Sequence, residues 1–333
     1  MFDVVTFGSA TWDIFIRDKK FSLEKENNLF DKKGIRFPLG AKIDIDEIKF
    51  SSGGGGTNTA ASFSYQGLKT AYCGMLGDDP AGEYILTELK RLKIDTSLIK
   101  KSSKKPTNHS IIISIPNKDR TILIYRGASG DLSSKDVDWH KISKAKWIYI
   151  APLSHRNPSL LEGIVNFAHK KKIKVALNPS NAQLSMPQEK MTRILKKTDI
   201  LFLNQEEASK LARVAHKQEK KIVDKITNYY PGIFVMTKGE RGATVVSQAS
   251  RYDFGIIKGK VVDRTGAGDS FASGFVSGMI LKDDIEYAIQ LAAANSTSCL
   301  SEWGAKNGLL KKNQSFKKIK IKKRDEKISQ KSS

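Results

Sequence analysis

The stretch "VVDRTGAGDSFASGF", Val261 to Phe275, sets an aspartate directly after two glycines where the chain turns from strand to helix. Val261 and Val262 close a β-branched run, and Phe271, Phe275 and Met279 recur every four positions, as one helical face requires. The turn therefore falls at Thr265 to Gly268. Gly266 and Gly268 carry no Cβ, so a ligand can come close to the backbone amides there. First-turn amides have no intrahelical acceptor, and the helix dipole adds partial positive charge at the same place. Such a mouth attracts anions, phosphate above all. A carboxylate at Asp269 repels a bound phosphate unless it has a compensating role, such as accepting the proton of a hydroxyl that attacks the phosphoryl group. A plain helix start with an acidic first-turn residue and packing glycines explains the same string. Taken alone, the string leaves both readings open.

The chain of 333 residues is 39% hydrophobic, enough for a large core, and short β-rich runs alternate with helical patterns from about residue 70 to 300. That alternation predicts an α/β fold with a mainly parallel sheet and helices on both faces. Central strands are expected at 4–8, 70–76, 147–151, 175–179, 200–204 and 233–238. Helices are expected at 57–67, 82–92, 159–171, 205–214, 268–282 and 285–300. Residues 12–50 and the hairpin "HSIIISIPNKDRTILIYR" at 109–126, turning at Asn117 to Asp119, do not alternate this way. Together they predict a small projecting sheet that serves as a lid.

Cys73 and Cys299 lie far apart in apolar or small-residue surroundings, which predicts buried thiols in a reducing compartment. The apolar start carries Asp3 and Asp13 and no basic segment, and no apolar run nears the length of a membrane helix, so cytoplasm is the expected location. The net charge is +22. Residues 311–333 hold ten Lys/Arg against two acids, a net +8, which leaves +14 scattered over the rest. This tail is expected to be mostly disordered, with weak affinity for polyanions. The five histidines show no zinc-ligand spacing and are expected to be structural.

Four further stretches fall where strands end, the usual place for ligands on open α/β sheets. In "TFGSATWD", Asp13 follows Gly8 and can accept two hydroxyl donors; a surface aspartate is the plainer reading. In "SSGGGGTNTAAS", Gly53 to Gly56 permit close approach and Asn58 offers both a donor and an acceptor, or the glycines are a hinge into the lid. In "LFLNQEEA", Asn204 and Glu207 are spaced for a magnesium ion bound through water and phosphate, or for an ordinary first helical turn. In "VMTKGERGATVV", Thr237, Lys238 and Gly239 can touch a nucleotide, or merely form a hairpin turn.

In this order, with "GDDPAGE" at 77–83, "NQEE" at 204–207, "TKGERG" at 237–242 and "DRTGAGD" at 263–269, the chain resembles the ribokinase-like (PfkB) carbohydrate kinases from about residue 3 to 310. The resemblance implies a three-layer α/β/α domain with a β lid that transfers the γ-phosphate of ATP, with Mg2+, to a hydroxymethyl group. It makes Asp269 the base and Gly266, Ala267 and Gly268 the anion hole. Asp13, Gly54 and Asn58 fall on sugar-contacting positions, Asn204 and Glu207 on the metal and phosphate motif, and Thr237, Lys238 and Gly239 on nucleotide contacts. Asp263 and Thr265 fall where many members bind a monovalent cation such as K+. Three departures bear on substrate. Arg264 stands where threonine is frequent, Gly55 where ribokinases proper often carry lysine, and "KWIYIAPLSH" offers no acid at its strand end. Arg126 meets an anionic or hydroxylated substrate or sits exposed in a loop. Trp303 and the last helix are expected to pack against the nucleotide pocket. The expected partners are a small sugar and ATP, with no membrane and with a homodimer through the lid. A nucleoside kinase is the alternative within the fold, and a catalytically silent nucleic-acid-binding protein the alternative outside it.

Overall fold

A computed structural model describes residues 1–19, 21, 23–25, 33–115, 120–154, 158–247 and 250–325. Its main sheet has ten strands. From one edge they run Ile99–Ser102, Thr70–Gly77, Val4–Phe7, Trp147–Ile150, Lys174–Leu177, Ile200–Asn204 and Ile233–Thr237, all parallel. Ala243–Val246, Ser250–Phe254 and Ile321–Asp325 then add antiparallel strands at the other edge.

Strand periodicity builds two cores. In Trp147–Ile150, Ile148 and Ile150 face one side and Trp147 and Tyr149 the other, because successive side chains point to opposite faces. The first side is covered by helices Pro158–Lys171, Gln188–Leu195, Gln205–Ala212 and Glu219–Thr227. The second is covered by Gly55–Tyr65, Ala267–Lys282 and Ile285–Leu300, with Pro80–Arg91 beyond them. The last two helices of the second layer touch backbone to backbone. A Cβ on Gly278 would stand 2.4 Å from Ala288 Cα, so no side chain fits between them.

The small sheet is four-stranded, ordered Glu47–Gly53, Thr11–Arg17, Asn108–Ser114 and Arg120–Tyr125. Its register sets Asp13 opposite Ser51 and Ser110. One face, with Thr11, Asp13 and Phe15, is buried over the main domain. The other presents Ile48, Phe50, Leu123 and Tyr125 to solvent. The expected turn at Asn117 to Asp119 lies outside the described residues, as does His155.

The tail differs from the expectation of disorder. Residues 311–325 are part of the fold, and Ile321–Asp325 pairs with Ser250–Phe254. The Gln290 side chain holds Ile319 at both its N–H and its C=O, at 2.8 and 2.9 Å. Ile319 and Ile321 pack onto the second core. Two isoleucines at i and i+2 are the mark of a strand with one buried face, and the lysines around them hid it. Residues 326–333 lie outside the described residues.

Candidate active site

Asp269 sits in the first turn of Ala267–Lys282 and is half-buried. Asn58, on Gly55–Tyr65, donates from Nδ2 to Asp269 Oδ2 at 2.8 Å, and its other amide atom, Oδ1, is buried with no hydrogen-bond partner among the described residues. A buried acceptor left open is costly, and Oδ1 is free to accept a hydrogen bond from a donor that enters the site. Burial raises the Asp269 carboxyl above its ordinary range, and the Asn58 bond and the Lys306 charge pull it back. Gly266 adopts φ +78 to start the helix, and a Cβ there would press within 2.4 Å of Ala305. Gly268 faces open space, where a ligand can reach the first-turn amides.

Asp13 is 6% exposed, and burial pushes its carboxyl up to about 6, opposed by a bond from Ser110 and the charge of Lys306. The glycine run makes room for it. A Cβ on Gly53 would stand 1.9 Å from Asp13 Oδ2, and one on Gly55 would meet Ala151 Cβ at 3.0 Å and Asp269 Oδ1 at 3.5 Å. Gly54 takes φ +95 against the Ser9 carbonyl.

Sequence reasoning missed Lys306, which is 4% exposed. Its ammonium donates to Ser52 Oγ and lies 3.2 Å from Glu88 Oε2, while Ser52 Oγ donates to the same Glu88 carboxylate. Burial lowers the Lys306 pKa, and Glu88, Asp13 and Asp269 oppose that fall. The cluster joins the base of the small sheet, the helix Pro80–Arg91 and the loop after the last helix. A faint signal existed. Glu88 follows buried Ile85 by three positions and precedes buried Leu89, so an acid stands next to an inward helical stripe.

A second cleft of about 580 Å3 opens beside Ala267 and Gly268, walled by Phe254, Ile256 and Phe271 and edged by Thr237 and Gly239. Lys238 does not line it, since its ammonium bonds Glu219 Oε1 at 2.8 Å and Thr244 Oγ1 at 3.0 Å. Arg264, at the rim, pairs with Glu240 at 3.0 Å. Ala293, Ser296 and Thr297 of the last helix line this cleft, whereas Trp303 packs edge-on against Phe15 of the small sheet. Asp263 accepts from Thr265 N and Oγ1 at 3.0 and 2.8 Å and from Gly304 N at 3.0 Å. The loop is thus closed by protein donors, with or without a monovalent cation.

Asn204 and Glu207 form a reciprocal capping box. Each side chain accepts the other's backbone N–H at 2.8 Å. Burial raises the Glu207 carboxyl. Glu207 and Arg126 line a third cavity of about 350 Å3 with Gly8 and Ser9. No group of three or more His, Cys, Asp or Glu gathers among the described residues. The donor set fits only an ion whose remaining ligands are water and phosphate oxygens, as magnesium accepts.

The model of the pfkB family carbohydrate kinases matches residues 3–312. The chain belongs to that family. It is 26% identical over 310 residues to a ribokinase of Staphylococcus aureus, covering 91% of this chain and 94% of that one. Among solved structures it resembles Arabidopsis thaliana ribokinase complexed with ribose and ATP, with TM-score 0.76, 22% identity and coverage of 93% and 96%. A nucleoside kinase of Methanocaldococcus jannaschii superposes with TM-score 0.70 at 21% identity, covering 92% and 95%. As a pfkB carbohydrate kinase the chain is a phosphotransferase acting on an alcohol group. No helix among the described residues is long and apolar enough to cross a membrane.

Proposed function

We propose that the protein transfers the γ-phosphate of ATP to a hydroxymethyl group of a small carbohydrate, with Asp269 as general base. The observation that carries this reading is the Asn58–Asp269 pair. One amide orients a half-buried carboxylate through Nδ2 and leaves Oδ1 open toward the acceptor. Asp13 and Asn58 hold the acceptor's hydroxyls, and the attacking hydroxyl gives its proton to Asp269. The amides of Gly266, Ala267 and Gly268 stabilise the charge on the transferring phosphoryl group. The apolar walls of the cleft at Phe254 and Phe271 take the base of the nucleotide, with Thr237 and Gly239 at its edge. Lys238 stands outside the cleft between these two, and its side chain braces the turn through Glu219 and Thr244. Arg126 lines the cavity that Gly8, Ser9 and Glu207 also line, where it can meet an acceptor or a phosphate.

Glu207 would hold magnesium through water, and the ion would supply charge neutralisation at the nucleotide phosphates. The exposed face with Ile48, Phe50, Leu123 and Tyr125 is the kind of apolar patch that a second copy covers, and we assign it a homodimer contact. The experiment that tests the activity is ADP release with MgATP across sugars, sugar acids and nucleosides. Turnover of a sugar supports the reading, turnover of nucleosides alone replaces it with a nucleoside kinase, and ADP release with none of them overturns it.

A further inference from the structure

We propose that Arg264 clamps the phosphates of the nucleotide and that Glu240 is the counter-ion it leaves to do so, the pair exchanging partners each time a nucleotide enters or departs. The identity of the ligand rests on the proposed function. The two residues sit on the turns that edge the cleft of about 580 Å3, Glu240 in the turn Gly239–Arg241 and Arg264 two residues before Gly266. Their bond at 3.0 Å therefore ties one edge of the cleft to the other.

Both ends of the pair are mounted on fixed backbone. Ahead of Arg264, the Val262 N–H donates to the Leu300 C=O at 2.8 Å, and the Asp263 carboxylate is held by Thr265 and Gly304. Beneath Glu240, the Lys238 N–H closes the turn on the Gly242 C=O at 2.8 Å. The two side chains themselves are exposed, and an ion pair between exposed groups is weak and readily exchanged. The backbone fixes where the guanidinium starts, and little holds it to Glu240.

Charge decides which partner it prefers. Among the described residues that line the cleft, Glu240 is the single acid, against Lys258, Lys260 and Arg264. A phosphate chain brings several negative charges where Glu240 brings one, and its oxygens take a guanidinium fork in pairs. The first-turn amides at Ala267 and Gly268, on the same wall, draw those phosphates to this side of the cleft. A nucleoside without phosphates offers Arg264 no such exchange. When the product nucleotide leaves, Glu240 recovers the guanidinium, so the arginine is not stranded without a counter-ion and holds the product less tightly than a free cation would.

The test is calorimetry on the full chain with magnesium and, in turn, ATP, ADP and adenosine, with no acceptor present, so that turnover does not enter. Arg264→Thr should weaken ATP and ADP at least about fivefold and leave adenosine within about twofold. Glu240→Gln should tighten ATP by about two- to fivefold, the release of a competing exposed pair. The double variant is the decisive comparison. If Glu240 acts by occupying Arg264, Glu240→Gln tightens ATP clearly less once residue 264 is threonine. Equal tightening in both backgrounds would make Glu240 an independent repulsive charge and overturn the exchange. Both side chains are exposed, where substitutions cost little stability, and Arg264→Gln repeats the test should Arg264→Thr lose its fold. ATP binding unchanged in the Arg264 variants, or a loss as large for adenosine as for ATP, overturns this inference and leaves the proposed function standing. An unmodified chain that binds no nucleotide overturns both.

Discussion

Replacing Asp269 by asparagine keeps the shape of the site and removes only the ability to take a proton. The expected result is kcat lower by about 10²- to 10⁴-fold, with sugar and ATP dissociation constants within a few-fold. Normal turnover would leave Asp269 a first-turn helix acid and end the proposed mechanism. Asp13 has a different signature, because burial raises its carboxyl to about 6. A raised carboxyl pKa makes the folded state most stable below the unfolded value, and that stability is lost as pH climbs through about 6. Holding the bare charge therefore costs roughly 3 kcal/mol above that pH. Asp13→Asn should raise the melting temperature at pH 8 and leave it little changed at pH 4. In the unmodified chain the acceptor KM should rise as pH falls below about 6, where a protonated Asp13 accepts one hydroxyl fewer. An acceptor KM flat from pH 5 to 8 would remove Asp13 from the acceptor site.

At the scale of elements, Lys306, Glu88 and Ser52 tie three segments together in a largely buried cluster. Lys306→Met strands the Glu88 carboxylate and should destabilise the fold by about 3–5 kcal/mol in denaturant titration. Lys306→Met with Glu88→Leu should recover most of that, because a buried pair is costly to break and cheap to replace. A double variant no more stable than the single one would mean that the ammonium serves something other than Glu88. This cluster also shows where the sequence was silent. The expected strands and helices lie within two residues of those observed, since each had a clear period and a turn at its end. Gly266 to Asp269 were legible as the mouth of a helix, whereas the strand expected at Val261 and Val262 is a loop, since the preceding strand ends at Phe254. The Lys306–Glu88 pair spans 218 positions and no local pattern joins its halves. The helices Gln188–Leu195 and Glu219–Thr227 were missed because both are short and their charged residues equal or outnumber the apolar ones. Trp303 was assigned to the wrong neighbour for the same reason as Lys306, since the return of the chain beneath the small sheet has no signature in sequence.

For the whole molecule, the edge strand Ile321–Asp325 makes the basic tail part of the stability of the sheet. Removing residues 311–333 should lower the melting temperature by several degrees, because Ile319 and Ile321 leave the core and the Ser250–Phe254 edge is bared. Heparin retention should fall with it, since Lys320, Lys322, Lys323 and Arg324 go too. An unchanged melting temperature would restore the expectation of a dispensable tail. On the outer face of the small sheet, Leu123→Lys should convert dimer to monomer in sedimentation, and a chain already monomeric would remove the assigned contact. Distance along the chain also has a consequence during synthesis. The Asn58–Asp269 bond joins residues 211 positions apart, and Phe63 packs in the same core as Phe271 and Phe275. A ribosome adding about 5–20 residues per second needs roughly 10–40 s to supply that second helix after the first. Through that interval the nascent chain carries an uncovered greasy helix and half of the proposed reaction centre, and a message cut short before residue 267 would leave a product that turns nothing over and depends on chaperones to stay in solution.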